Sequence, residues 1–256
     1  MHRFFVSPAA LRGSSVVLAE PVARQLRHVL RMRPGALIVV LDNQGWEYEV
    51  ELTEIRNDWA KGVVTHKRPA TGEPDAKITL YQCVLKKDHF EWVLQKCTEI
   101  GVTQFVPVIS QRTVITDVDS IRTHKLSRWE RIITEAAEQS RRGSLPGLAE
   151  PVTFQAALAE SNSFDWALIS WEGETARTLR DAVAGWHNKP DAEPEIALFI
   201  GPEGGFADSE IAQAQQHHIV PVTLGPRILR AETAAMAAAL LTLHELGETA
   251  LPPYSR

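Results

Sequence analysis

The chain has 256 residues, 44% of them hydrophobic and 23% charged, which is ordinary for a globular protein of one large domain or two smaller ones. No apolar run approaches the roughly 20 residues of a membrane helix, and MHRFFVSPAALRGSS lacks the sustained apolar segment of a secretory leader, so neither is expected. The net charge of −5 argues against a nucleic-acid partner for the chain as a whole.

Charge is unevenly divided. Residues 1–70 hold 10 Lys and Arg against 7 Asp and Glu, a balance of +3, while the remainder holds 17 against 25, a balance of −8. A local basic patch for RNA is permitted by this split, though not demanded by it. Two cysteines, Cys83 and Cys97, make neither a disulfide framework nor a zinc site, and no metal is expected. Their apolar surroundings suit buried free thiols in a reducing cytoplasm.

In chain order, Glu20-Pro21 opens a helical stretch in which Leu26, Val29 and Leu30 recur at helical spacing. Arg33-Pro34-Gly35 stops it. ALIVVL is a short buried strand, followed by the turn Asp42-Asn43-Gln44-Gly45. Trp46, Tyr48, Val50 and Leu52 then alternate with Glu47, Glu49 and Glu51, a half-buried strand with an acidic solvent face. One more strand is expected around Ala60 to His66, and strands with short turns and a single helix suggest a small closed barrel over residues 1–70. RPATGEPDA contains the linker, residues 71–76.

From Lys77 to about residue 250 strands and helices alternate. The strands are KITLYQCVL, Gln104–Ile109, Trp166–Trp171, Ile196–Ile200 and Val220–Leu224. The helices are His89–Ile100, Leu126–Gln139, Thr178–Trp186, Asp208–His217 and Ala231–Leu246. Near-continuous apolar strands in repeated βα units predict an α/β domain, a parallel sheet with helices on both faces. Ligands in such sheets bind at loops leaving the carboxyl ends of strands.

Three loops stand out. Phe199-Ile200-Gly201-Pro202-Glu203-Gly204-Gly205-Phe206 ends a buried strand with three glycines, which suits either close backbone approach to a ligand or a tight turn. It is neither a phosphate loop nor a dinucleotide fingerprint. Leu224-Gly225-Pro226-Arg227-Ile228-Leu229-Arg230 leads into a helix beginning Ala231-Glu232-Thr233-Ala234. Its Ile228 and Leu229 need covering, by the core or by a flat aromatic ligand such as adenine, and Arg230 with Glu232 also reads as a structural ion pair. Glu138-Gln139-Ser140-Arg141-Arg142-Gly143 closes a long helix, and the helix dipole accounts for its arginines as readily as an RNA contact does.

Together with RHVLR at 27–31 and KKDHFEWVLQKCTEIGV at 86–102, these stretches resemble the bacterial 16S ribosomal RNA uridine N3-methyltransferases of the SPOUT superfamily. The similarity covers nearly the whole chain, and IGPEGGF followed by LGPRILRAETA is its most specific part. The resemblance implies a PUA-like β-barrel at the N-terminus and a trefoil-knotted C-terminal domain. It implies S-adenosylmethionine as cofactor, held by Ile169, Ile200, Gly201, Pro202, Glu203, Gly204 and Gly205, and by Leu224, Gly225, Arg227, Ile228, Leu229, Arg230, Thr233 and Ala234. It further implies 16S rRNA as partner, within the small ribosomal subunit, and a homodimer with each active site near the subunit interface. Ser144 stands where a basic residue is common, and Ala231 where Thr is common; the second change removes a potential helix cap.

N3 of uracil must lose a proton, so the reaction needs alignment, a proton acceptor and a cation for the developing uridinate. Arg230 and Arg142, the latter from either subunit, are candidates to face O2 or O4, and Glu203 or Glu232 to accept the proton directly or through water. Glu232 orienting Arg230 and Glu203 bracing its own loop are the structural alternatives. RNA contacts are expected from Arg3, Arg24, Arg27, His28, Arg31, Arg33, Arg141 and Arg142, of which 24, 27, 28 and 31 lie on neighbouring faces of one helix. Competing readings are a methyltransferase of the same superfamily acting elsewhere in RNA and a non-enzymatic RNA-binding or ribosome assembly factor.

Overall fold

The apolar runs become strands and helices across residues 1–115, 118–184 and 193–249, which the computed structural model describes, apart from the side chains at 120 and 124. The chain divides into two units, residues 1–73 with 134–145, and residues 74–133 with those from 146 onward.

In the first unit the elements are β1 (His2–Phe5), β2 (Leu11–Arg12), β3 (Ser15–Ala19), α1 (Val22–Arg24), β4 (Leu37–Leu41), β5 (Trp46–Ile55) and β6 (Trp59–Pro69). They pair in the order β1-β4-β5-β6-β3-β2, parallel only between β1 and β4. Opposite ends of this path share one core: Phe4 from β1 and Val16 and Leu18 from β3 pack with Ile38, Val40, Val50 and Leu52. β1 to β3 escape sequence periodicity because each has five residues or fewer.

Two local expectations are corrected here. The helix is α-helical only at its start and continues as a π turn over Gln25–Val29, closed by Leu30 N–H to the Gln25 carbonyl at 2.9 Å. The wider turn leaves Leu26 in the core but rotates Val29, expected on the same face, out to 71% exposure. On β5 the acidic face is not wholly solvent-facing: Glu47 is buried between Arg3 and Arg68, and Trp46 is exposed. A register shift between Glu49 and Val50 breaks the alternation, and the two guanidiniums make burial of the carboxylate tolerable.

The second unit is built from β7 (Lys77–Cys83), α2 (His89–Ile100), β8 (Gln104–Ile109), α3 (Val118–His124), α4 (Leu126–Ser140), β9 (Gly147–Leu148), β10 (Val152–Thr153), α5 (Phe154–Glu160), β11 (Trp166–Ser170), α6 (Leu179–Val183), β12 (Glu195–Ile200), α7 (Asp208–Gln216), β13 (Val220–Val222) and α8 (Ala231–Glu245). From Thr134 onward α4 belongs to the first unit. All strand pairs are parallel, in the order β10-β8-β7-β12-β11-β13 with β9 beside β8.

Successive strand residues face opposite ways and bury two cores. Ile78, Leu80, Leu168, Ile196 and Leu198 pack on one side with Val93 of α2, Trp129 of α4, Leu179 of α6 and Ala235, Ala238 and Ala239 of α8. Tyr81, Val106, Ile169, Ala197 and Phe199 pack on the other with Phe154 and Leu158 of α5 and Ile211 and Ala214 of α7. Helices therefore cover both faces, as expected for an α/β domain. α2 stops at Gly101, whose φ of +127° suits glycine and where a Cβ would lie 3.1 Å from Leu243. A capping box between Thr178 and Asp181 starts α6, and the end expected for that helix at Trp186 lies outside the described residues. Residues 71–76 carry neither helix nor strand. Among the described residues no helix is long and apolar enough to cross a membrane.

Candidate functional site

Adjacent parallel strands β12, β11 and β13 end together, and the loops after them line one cavity of about 400 Å³. Ser170 ends β11 and Glu172 follows it, Ile200 ends β12 and Gly201 to Phe206 follow it, Ile228 to Arg230 lie just before α8 with Ala231, Glu232 and Ala234 in its first turn, and His89 opens α2. A smaller cavity of about 90 Å³ shares Ser170, Glu172, Ile228, Leu229 and Ala234 and adds Trp171, Thr223, Leu224, Gly225 and Arg227. Ten of the expected cofactor positions thus line the larger space. Leu224, Gly225 and Arg227 line the smaller one. Ile169 is buried in the sheet and Thr233 is exposed on α8; neither lines either space.

The glycine loop is both a tight turn and a close-approach surface. Gly205 N–H donates to the Pro202 carbonyl at 2.9 Å, closing the turn. Gly205 has φ +66°, with its missing Cβ directed 2.5 Å from the Glu172 carboxylate, and a Cβ on Gly201 would press on the Phe206 ring at 3.2 Å. Ile228, 90% exposed, and half-buried Leu229 offer apolar surface beside Pro202 and Phe206.

Other side chains hold this loop in place. Arg112 donates from Nη1 to the carbonyls of Gly204 (2.8 Å) and Phe206 (3.2 Å). In return Glu210, buried on α7, accepts from the amides of Gln111 (2.8 Å) and Ala207 (2.9 Å). Gln82 donates to the Gly201 carbonyl at 3.4 Å, and Lys86 N–H donates to Glu203 at 2.8 Å. Glu203 thereby ties its loop to the segment after β7, while lining the cavity.

Arg230 is exposed and makes no ion pair among the described residues. The side chain facing the Glu232 carboxylate is His89, with Nδ1 3.7 Å from Oε1. Glu232 is 8% exposed, at the first turn of α8, whose N-cap Arg230 makes no side-chain capping bond. Cys83 is no nucleophile: burial pushes its thiol up to about 12. Burial likewise raises the Tyr81 phenol, which donates to Glu160 at 3.0 Å.

The expected RNA contacts all lie in the first unit. Arg24, Arg27, His28, Arg31 and Arg33 are exposed around the π turn, where the expected α-helical spacing no longer applies. Arg3 is mostly buried and donates to Glu47 at 2.7 Å. Arg142 is 3% exposed and forms a bidentate pair with Glu73, at 2.8 and 2.6 Å. Oε1 of Glu73 also accepts from the amides of Gly143 and Ser144. Arg141 is exposed at φ +64°.

Sequence reasoning missed Arg112, Glu172, Gln82 and His89. A signal existed for three of them: Arg112, Glu172 and His89 follow the carboxyl ends of β8, β11 and β7, the same criterion that pointed to the glycine loop. Gln82, inside a strand, carries no such mark.

The sequence pattern of the RNA methyltransferase domain matches residues 72–243. The ribosomal RNA small subunit methyltransferase E of Synechocystis sp. is 34% identical over 93% of this chain and 75% of its own length. The protein of the same name from Bacillus subtilis is 28% identical over 93% and 94%. Among solved structures, the ribosomal RNA small subunit methyltransferase E of Neisseria gonorrhoeae, bound to S-adenosyl methionine, superposes with a TM-score of 0.83 at 31% identity, covering 95% of this chain and 97% of that one. A Legionella pneumophila putative methyltransferase, in complex with the same cofactor, superposes with a TM-score of 0.84 at 28% identity and the same coverage.

Proposed function

The chain belongs to the ribosomal RNA small subunit methyltransferase E family, and from that premise we propose that it transfers the methyl group of S-adenosylmethionine to N3 of a uridine in 16S ribosomal RNA. The observation that carries this is the cavity formed by the loops after β11, β12 and β13. Its residues fit the donor: Ile228, Leu229, Pro202 and Phe206 offer apolar surface to an adenine, and the absent side chains of Gly201 and Gly205 leave main chain accessible. Ile200 to Gly205 and Leu224 to Ala234 would hold it, with Arg227 beside Leu224 and Gly225 in the smaller cavity. The bound donor supplies an electrophilic methyl on a sulfonium.

This chain's own groups bind, orient and handle charge. Arg230, with no anionic partner among the described residues, offsets negative charge developing on O2 or O4 of the base. The exposed side chains of Arg24, Arg27, His28, Arg31, Arg33 and Arg141 meet RNA phosphates. Arg3 and Arg142, each bound to a carboxylate, contribute by shaping that surface.

Three features of architecture complete the reading. The second unit is a trefoil knot, supported by the crossing from β12 to β13 beyond β11 and the return of α8 against β7 and β12. The first unit is a PUA-like RNA-binding barrel, supported by one core shared between both ends of its sheet path. The protein works in the cytoplasm as a homodimer, supported by Trp92, Leu240 and Leu241, which stay exposed on α2 and α8.

The deciding experiment is mass mapping of nucleosides in 16S rRNA from a strain lacking the gene. N3-methyluridine disappears at one position and returns with the wild-type gene. Loss of a ribose-methylated nucleotide instead, or no change, overturns the proposal.

A further inference from the structure

We infer that His89 takes the N3 proton and that Glu232 holds its imidazole for the task, an inference resting on the proposed transfer to uridine N3. His89 opens α2 just beyond the carboxyl end of β7, and its side chain lines the 400 Å³ cavity. Its Nδ1 is shielded from water and has no hydrogen-bond partner among the described residues, although Oε1 of Glu232 lies 3.7 Å away. A buried polar atom without a partner is uncommon enough to need an explanation. Here two groups on different helices, α2 and α8, point into one cavity and stop just short of bonding. Catalytic hydrogen bonds are often long without substrate and tighten when the site fills.

The pairing sets the tautomer. With its proton on Nδ1, directed at the carboxylate, the ring carries its lone pair on Nε2, and the carboxylate stabilises the imidazolium formed later. Other groups around the cavity are less suited. Glu203 already accepts the Lys86 amide, Arg230 is a cation, and Glu172 packs against Gly205 on the loop side. Lys86, Lys87 and Asp88, on the approach to α2, are exposed.

In the step itself the N3–H bond breaks with its electrons left on nitrogen, and that pair forms the bond to the methyl carbon. The carbon–sulfur pair returns to sulfur, cancelling the sulfonium charge. The proton goes to Nε2 of His89, and the resulting imidazolium is balanced by Glu232. Glu232 is thus a positioning residue in this scheme and His89 the catalytic base.

The test measures single-turnover methyl transfer to small subunits lacking the modification, across the range in which histidine exchanges its proton, roughly pH 5 to 8. The wild-type rate rises with pH. His89→Ala and His89→Gln bind S-adenosylmethionine normally by calorimetry but transfer about 10²–10⁴-fold more slowly, without that rise. Added imidazole restores part of the rate to His89→Ala and none to His89→Gln, whose side chain fills the space. Glu232→Gln moves the midpoint of the rate profile, and the NMR titration of the His89 ring, to lower pH together. A His89→Ala variant with the wild-type rate and profile overturns the assignment while leaving the function intact. Wild-type protein that forms no N3-methyluridine overturns the function itself.

Discussion

Gly205 and Arg112 show how single residues set the shape of the candidate site. At φ +66° an L side chain is strained by about 1–2 kcal/mol, and its Cβ would meet the Glu172 carboxylate at 2.5 Å, so Gly205→Ala should lower the melting temperature by roughly 2–8 °C and, as the loop shifts to relieve the clash, weaken S-adenosylmethionine binding by roughly tenfold. Arg112→Ala removes both bonds to the loop carbonyls, and a similar fall in affinity is expected, since hydrogen bonds to charged groups are worth about 1.5–3 kcal/mol before the discount for exposure. Calorimetric titration checks both; unchanged affinities would mean the loop keeps its shape unaided. Glu138 makes a different kind of prediction. Burial raises its carboxyl from the ordinary 4.5 to about 7, opposed by the Phe5 amide at 3.1 Å and aided by Glu135. Between those values the folded state keeps a proton that the unfolded chain has released. Stability therefore falls as pH rises through this window, and the penalty is complete above about 7. Glu138→Gln keeps an acceptor for the amide, so it should be more stable than wild type above pH 7 by about 1–2 kcal/mol, allowing for partial exposure, and equal near pH 4.5. Urea titrations at the two pH values would show it.

Among the elements, the π turn after α1 has the clearest functional consequence. Leu26 anchors it in the core, and around it Arg24, Arg27, His28, Arg31 and Arg33 all reach solvent. Phosphate contact by Arg27 and Arg31 predicts a weaker salt dependence when both become alanine, the slope of log K against log salt falling by about 1.4 for single-stranded RNA. Filter binding over a salt series measures this, and an unchanged slope would assign the turn to bulk solvent. The sequence showed a helix and its basic residues here. It did not show the extra residue in the turn, because a π turn is set by how Ala23 and Leu26 seat against the sheet. On β5, similarly, period-two alternation was legible from Val50 onward and failed before it, where pairing with β6 shifts by one residue. Trp46 is left exposed under the Lys67 ammonium, 4.1 Å from its ring centre.

For the whole molecule, the division into units does not follow the chain. Thr134–Leu145 returns to the first unit, bringing Arg142 to Glu73, Glu138 to Phe5 and the Leu145 amide to Asn43. A fragment of residues 1–73 lacks all three contacts and leaves Glu73 without its buried guanidinium. It should unfold at lower urea than the same strands in the full chain, followed by Trp46 and Trp59 fluorescence; coincident midpoints would mean the returning segment adds no stability. Linear reading placed a boundary near residue 70 because composition changes there, and composition carries no record of a segment 60 residues later coming back.

Length, composition and charge bounded the protein without identifying it. Apolar periodicity was enough for the α/β class and nearly every long strand and helix, because burial of one face or two is written directly into residue spacing. The loops IGPEGGF and LGPRILRAETA were legible as a candidate ligand site, since glycines and bare apolar residues at strand ends need a reason to be there. What only the tertiary structure decided was partnership. Arg142 and Arg3 looked free and are paired; Glu232 looked bound to Arg230 and stands beside His89; Arg112 looked unremarkable and braces the loop. Such pairings join residues up to 143 positions apart, and a charge in a sequence carries no sign of which distant charge it will meet.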